Sequence, residues 1–331
     1  MPPEFWQQTT LSKYATIIMG QSPSSEYFTA DPNDVPLLQG NRTFRDKYPY
    51  YDTFTKKVTK LAQTGNVIVS VRAPVGDINM APTRLCLGRG VAALSSKDSN
   101  NEYLYYLLKS LVPVLNQNEN GSTFGSINKT DLEQLPIYLP PLEDRSTIGH
   151  ILSSLDKKIQ LSQSINDNLE AQISALFSRV VESSNGDSIR FGNLIKIGSG
   201  GTPKTSISEY WNGEIPFFSP KDIDGIYTYY TEKYITKLGL DNCNSDYYPK
   251  NTTIITARGT VGKITLTARD MAMNQSCYAI IARNKGQEYY IHQLSLYAAD
   301  SIKQKSNGAV FDTINAKDIT EESVPNLTKF R

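Results

Sequence analysis

The side chains best suited to chemistry are few and scattered in this sequence. Its three cysteines, Cys86, Cys243 and Cys277, lie far apart without a C-x-x-C pair, and its two histidines, His150 and His292, stand alone. That pattern supplies neither a zinc-ligand cluster nor a disulfide framework, and it fits a reducing compartment. The segment GTVGKIT, residues 259–265, half-resembles a phosphate-binding loop. Ala257 stands where the first glycine is needed, and Ile264 stands where a Ser or Thr should follow Lys263. GSGG, residues 198–201, lacks the spacing of a dinucleotide fingerprint and reads as a flexible loop. There is no G-x-S-x-G nucleophile elbow and no Asn-Pro-Pro-aromatic tetrapeptide. His150 and His292 read as packing or surface residues. No nucleophile, base and orienting group assemble, so a non-catalytic chain is expected.

Binding chemistry is better represented. Residues 42–60 hold Arg42, Arg45, Lys47, Lys56, Lys57 and Lys60 against Asp46 and Asp52, a net of +4. Phe44, Tyr48, Tyr50, Tyr51 and Phe54 interleave these cations. A basic, aromatic-rich loop suits nucleic acid, although a charged run alone is more often a solvated face. The whole chain carries 34 Lys plus Arg against 33 Asp plus Glu, a net of +1, so any basic surface must be local.

The elements that position these residues come in duplicate. IMGQSP, ending at Pro23, matches IGSGGTP, ending at Pro203. Residues 35–38 (VPLL) match 215–218 (IPFF), an offset of 180. Residues 67–78 match 253–264 at an offset of 186, and 121–132 match 308–319 at an offset of 187. Order is kept and the offset drifts by only seven, which marks a domain duplication within the 331 residues rather than a short-period solenoid. Each copy has short β-branched runs bounded by Gly and Pro, read as buried strands, and a helical stretch beginning near Asn101 or Glu288. Gly76 and Gly262 are expected to hold a tight strand–loop–strand turn; because the first copy has Asp77 where the second has Lys263, a phosphate lysine is not the shared feature. The fold class is mixed α/β, or α+β.

Between the copies, after Pro140-Pro141, Ile148, Leu152, Leu155, Ile159, Leu169, Ile173, Leu176 and Val180 recur at alternating steps of three and four. Ser162 and Asn166 interrupt the seam, the latter at an a position where it can fix register. This predicts a coiled-coil-like helix from 142 to about 182, a rod of roughly 60 Å. The expected division is a first domain over 1–141, the helix over 142–184 and a second domain over 185–331. The second copy should also run into a helix, but the sequence stops at Arg331. With no partner helix in the chain, self-association through the exposed seam is expected. No apolar run reaches the ~20 residues of a membrane span, and the start carries no secretory pattern, which suggests a cytoplasmic protein.

Four motifs recur in order in both copies: a G-x-[ST]-P opening, a [VI]-P-[LF]-[LF] strand, an [ST]-x-R-[AG]-x-[VT]-G turn, and an ending seen fully as GSINKTDLEQLPIYLPPLEDRSTIGHILSSLDKKI. Together they resemble the specificity subunit of type I restriction–modification systems along nearly the whole chain. The resemblance implies that each copy is a target-recognition domain reading half of a split DNA site. The helix would space the two and dock methyltransferase subunits. S-adenosylmethionine, ATP and Mg would belong to those partners and to a motor–nuclease subunit, with no cofactor in this chain. The family carries two long helices where one is visible here.

Duplication also sorts the residues. Two domains that read different half-sites should share scaffold and phosphate contacts, which places Arg72, Arg258, Gly76 and Gly262 in that class. Base readers should fall where the copies diverge. Those are Arg42 and Arg45 in the first copy, suited to guanine, and Lys221 with Asp222 in the second, where Asp222 is either an acceptor for the cytosine amino group or a turn cap. Gln39, Asn41, Lys47, Lys56, Lys57 and Lys204 complete the expected DNA surface. The competing readings are an adaptor that assembles subunits through the helix without touching DNA, and an enzyme whose site escapes motif reading.

Overall fold

The computed structural model describes residues 3, 5–117, 126–184, 186–305 and 313–327. Residues 121–125 and 308–312 of the last repeated segment, and the terminal Arg331, lie outside them. The chain divides into two units, Met1–Ile165 and Asn166–Arg331.

In the first unit the apolar run Val67–Ser70 is buried on both faces at the centre of an antiparallel sheet. The order is Ala15–Met19, Val91–Ser96, Val67–Ser70, Ile78–Met80. The helix Asn101–Ser110, started by Asn100 accepting from the Tyr103 amide, packs Leu104, Leu107 and Leu108 into the core beside Val67 and Val69. A second sheet sets Val35–Leu38 parallel to Leu85–Leu87 with Leu37 opposite Cys86. It closes a smaller core around Leu38, Ile68 and Leu87.

The second unit repeats this plan pair by pair. Its sheet runs Ile195–Ser199, Cys277–Ala282, Thr253–Thr256, Ile264–Thr267, with Tyr227–Thr228 added in parallel at the edge. Trp211–Phe218 lies parallel to Ala272–Met273 with Phe217 opposite Ala272, the pairing equivalent to Leu37 and Cys86. Helix Glu288–Lys305 buries Ile291, Leu294 and Ala298 against this sheet. The repeated I-N-x-x-D is a capping box in both units. Asn128 and Asp131 satisfy each other's amides at the start of Lys129–Gln134, as do Asn315 and Asp318 at the start of Ala316–Glu321.

The G-x-[ST]-P opening has a steric cause. A Cβ on Gly20 would lie 2.0 Å from the Gly88 carbonyl oxygen, and one on Gly200 would lie 1.8 Å from that of Asn274. The 198–201 stretch is therefore not the flexible loop its composition suggested. Ile195–Ser199 is a strand, and a Cβ on Gly201 would lie 2.5 Å from the Asn244 amide nitrogen. Glycine here permits backbones to touch.

Leu142–Ser183 is one continuous helix, and the boundary between the units falls inside it. Its N-terminal part is anchored within the first unit. Arg145 donates to the Pro140 carbonyl at 2.7 Å and pairs with Asp98 at 3.0 Å. Gly149 and Ser153 are buried, and a Cβ on Gly149 would stand 2.9 Å from the Tyr103 amide nitrogen. These contacts account for Arg145 and Gly149 in the stretch that follows Pro140-Pro141. Of the predicted seam, Ile148, Leu152 and Val180 are half-buried. Leu155, Ile159, Leu169, Ile173 and Leu176 remain 45–58% exposed, and Asn166 is exposed among them.

Candidate nucleic-acid interface

Each unit presents one loop after the parallel strand and one turn after the central strand. In the first unit these are 39–45 and 72–77. Ser70 ties the turn: its hydroxyl accepts from the Asp77 amide at 2.9 Å and donates to the Pro74 carbonyl at 2.9 Å. Gly76 takes φ 88°, which favours glycine. Thr256 does the same in the second unit, accepting from the Lys263 amide at 3.0 Å and donating to the Thr260 carbonyl, with Gly262 at φ 76°. Arg72 and Arg258 open these turns, exposed, each in a β-bridge to the segment that follows, at Ser126 and Thr313. The two repeated arginines thus occupy equivalent backbone positions.

On the first unit's loop, Gln39 and Arg45 are exposed, with the Arg45 guanidinium over the Tyr50 ring at 4.8 Å. Arg42 is 71% exposed and pairs with Asp52 at 2.7 Å. That hydrogen-bonded pairing raises the arginine's pKa and holds the Asp52 carboxyl below its usual range. Asn41 is half-buried and bound to the turn, donating to the Asp77 carboxylate at 2.5 Å and the Pro74 carbonyl at 3.3 Å. Lys56 and Lys57 are exposed around the strand Phe54–Thr55, with Lys57 over the Tyr27 ring at 4.7 Å.

One sequence expectation is corrected, and at Asp222 one of the two readings left open is met. Lys47 does not belong to the exposed basic loop. Its side chain is 4% exposed, 2.9 Å from Glu102 and 3.7 Å from Asp156, and it donates to the Tyr106 hydroxyl at 3.3 Å. A lysine can be buried only with its charge satisfied, and these partners hold it. Asp222 does not offer a free carboxylate. One oxygen accepts from the amide and hydroxyl of Ser219 at 2.6 and 2.8 Å, and the other accepts from the Glu232 amide at 2.7 Å. It is the capping residue of its own turn.

The second unit's loop and turn border a cleft of about 680 Å³. Lys221, Lys233, Arg258 and Lys263 line it against one carboxylate, Glu232, with Trp211 and Phe217 as an aromatic wall. Those two rings meet edge-on at 5.5 Å, and Lys233 sits 5.7 Å from the Trp211 ring. Lys221, Arg258 and Lys263 have no ion pair among the described residues. Lys204 is exposed nearby in sequence; its carbonyl accepts from the Trp211 indole at 3.3 Å. Sequence reasoning missed Lys233, Lys263, Trp211 and Asp77 as site residues. The alignment of the repeats held the signal for Asp77 and Lys263, whereas Trp211 and Lys233 are brought in by strand pairing. A surface of this kind, cationic with aromatic walls, suits a polyanion that also carries flat rings.

Other candidate chemistry is thin. Among the described residues no group of three or more His, Cys, Asp or Glu side chains could hold a metal. Burial pushes the Cys277 thiol up to about 12. No helix is long and apolar enough to cross a membrane, again among the described residues.

Residues 3–171 and 184–326 match the family described as Type I restriction modification DNA specificity domain. A Methanocaldococcus jannaschii chain assigned as the MjaX type I restriction enzyme specificity subunit is 38% identical over 172 residues, 51% of this chain and 40% of that one. The MjaIX specificity subunit of the same organism is 28% identical over 135 residues, 39% of this chain and 31% of its own length. The chain thus aligns to less than half the length of these relatives. The crystal structure of the type I restriction–modification system S subunit from M. genitalium matches 97% of this chain and 84% of its own, with TM-score 0.70 and 18% identity, a likeness of fold.

Proposed function

Because this chain belongs to the family of type I restriction modification DNA specificity domains, we propose that it is the sequence-reading subunit of a restriction–modification complex. Each unit reads one half of a bipartite duplex site. The carrying observation is that an equivalent backbone frame, with a shared exposed arginine, surrounds different side chains at 39–45 and 219–224. Gln39, Arg42, Arg45, Lys56 and Lys57 serve the first half-site; Lys204, Lys221 and the cleft cations serve the second. Arg72 and Arg258 contact phosphate. Methyl transfer and cleavage belong to methyltransferase and motor–nuclease subunits, which carry S-adenosylmethionine, ATP and Mg, in the cytoplasm. The domains act as recognition modules and the helix as spacer and docking element.

The test is binding by the chain assembled with its methyltransferase subunits. Arg258→Ala is expected to weaken cognate and unrelated duplexes equally and to lower the salt slope by about one phosphate contact. Arg42→Ala, which frees Asp52, is expected to cost about 1–3 kcal/mol on cognate DNA alone. The opposite pattern would reverse the two roles, and no sequence preference in the unvaried protein would overturn the reading.

The same helix face mediates self-association when no methyltransferase subunit covers it. Each Leu or Ile removed from water there contributes about 1.5–3 kcal/mol. Leu169→Asp with Ile173→Asp is expected to convert the free chain to monomers in sedimentation. A monomeric unvaried chain at tens of micromolar would refute self-association.

A further inference from the structure

The two units place chemically opposite groups at equivalent positions of one frame. Asn41 in the loop and Asp77 in the turn of the first unit correspond to Lys221 and Lys263 in the second. Residues 41 and 221 are matched by the offset of 180 that the parallel strands Val35–Leu38 and Trp211–Phe218 set, whereas the match of 77 with 263 does not rest on alignment alone. The Ser70 and Thr256 hydroxyls each accept from the amide of residue 77 or 263, and main-chain bonds repeat with them. Ser70 and Thr256 amides both donate to the carbonyl of that residue at 2.9 Å. Val71 and Ala257 amides reach Gly90 and Ser276, and Ile127 and Ile314 donate back at 3.0 Å each.

Within this shared frame the hydrogen-bonding character reverses. The Asn41 amide group spends its N–H donors on Asp77 and Pro74. Its Oδ1 and the second Asp77 carboxylate oxygen accept no hydrogen bond among the described residues, and Asp77 is exposed, so both remain available as acceptors. Lys221 and Lys263 have no acceptor, and no carboxylate neutralises them among the described residues. An arginine opens the turn in both units, so the difference is local to this pair.

We propose that residues 41/77 and 221/263 form a selectivity pair, one per unit, that sets which class of base edge each half-site presents there. This rests on the DNA-reading assignment above. In the major groove cytosine N4 and adenine N6 are donors, whereas guanine O6 and N7 and thymine O4 are acceptors. The acceptor pair of the first unit requires an amino-bearing base, cytosine or adenine. The carboxylate also rejects carbonyl edges by repulsion, which sharpens the choice. The lysine pair of the second unit requires a carbonyl-bearing base, with guanine favoured because it offers two acceptors.

The experiment selects from a pool of duplexes randomised across both half-sites, using the full chain assembled with methyltransferase subunits. Lys263→Asp is expected to move one position of one half-site from guanine or thymine to cytosine or adenine, by about tenfold in relative enrichment, and to leave the other half unchanged. Asp77→Lys should make the reverse change in the other half. Lys263→Gln and Asp77→Asn, which leave the turn's main-chain bonds in place, should relax the same positions. Uniform loss of affinity with every base preference intact would make these residues phosphate contacts and overturn the inference while sparing the functional reading. An unvaried protein that enriches no sequence would overturn both.

Discussion

Gly200→Ala should unfold the second unit at denaturant concentrations the native chain withstands, and Gly20→Ala should do the same to the first. A Cβ at either position would sit within 2.0 Å of a backbone carbonyl oxygen. No rotamer change can relieve an overlap with main chain, and the carbonyls involved belong to the segments 88–91 and 273–274 that line the parallel strands. Overpacking against a movable side chain costs about 1–3 kcal/mol, so a backbone clash should cost about 3 kcal/mol or more. Because the chain has two units, unfolding should be followed by probes in each, and the loss should appear in the altered unit. An unchanged midpoint for Gly200→Ala would mean that the strand can part from Asn274 freely.

The second unit should also weaken with acid through a single residue. His292 is 3% exposed in helix Glu288–Lys305, its Nδ1 at 3.4 Å from the Thr253 hydroxyl. Burial lowers its pKa from 6.5 to about 4. The folded state therefore keeps the ring neutral where the unfolded chain already binds a proton. Above pH about 6.5 nothing is lost. As pH falls from there to about 4, stability declines by about 1.4 kcal/mol per unit, about 3 kcal/mol in all, and below that the contribution is constant. Acid unfolding of carboxylate ion pairs adds to this in every variant, so the comparison is with His292→Leu. That variant should lose less stability than the parent between pH 7 and 4.5. Equal losses would place the acid sensitivity elsewhere.

The repeat, the long helix and the paired turns were readable because each leaves a local or periodic trace. The heptad steps predicted a helix that runs Leu142–Ser183, and Gly76 and Gly262 have the positive φ their turns require. Lys47 was misread because nothing near it in sequence tells that Glu102 and Asp156 will meet it. Asp222 had a local trace, since Ser219 lies three residues before it in capping-box spacing, and the structure decides for the cap. The GSGG stretch was misread for a different reason. Glycine marks both loose chain and tight contact, and only the approach of Asn274 and Asn244 separates them. Trp211 and Lys233 were invisible as a pair because they are cross-sheet neighbours of an irregular strand pairing.

The repeated turn has one property that matters over longer times than a binding event. Its shape is held by the hydroxyl of Ser70 or Thr256 and by main-chain bonds, and it is the same whether residue 77 or 263 is an acid or a base. The side chain at that position is exposed in both units and contributes to folding at most the one hydrogen bond from Asn41 to Asp77. Mutations there escape the purge that removes destabilising changes, and descendants can accumulate different residues on an unaltered scaffold. The duplicated chain carries two such positions, and each can change without the other, so one ancestral unit can give rise to many pairings without a fold ever being reinvented.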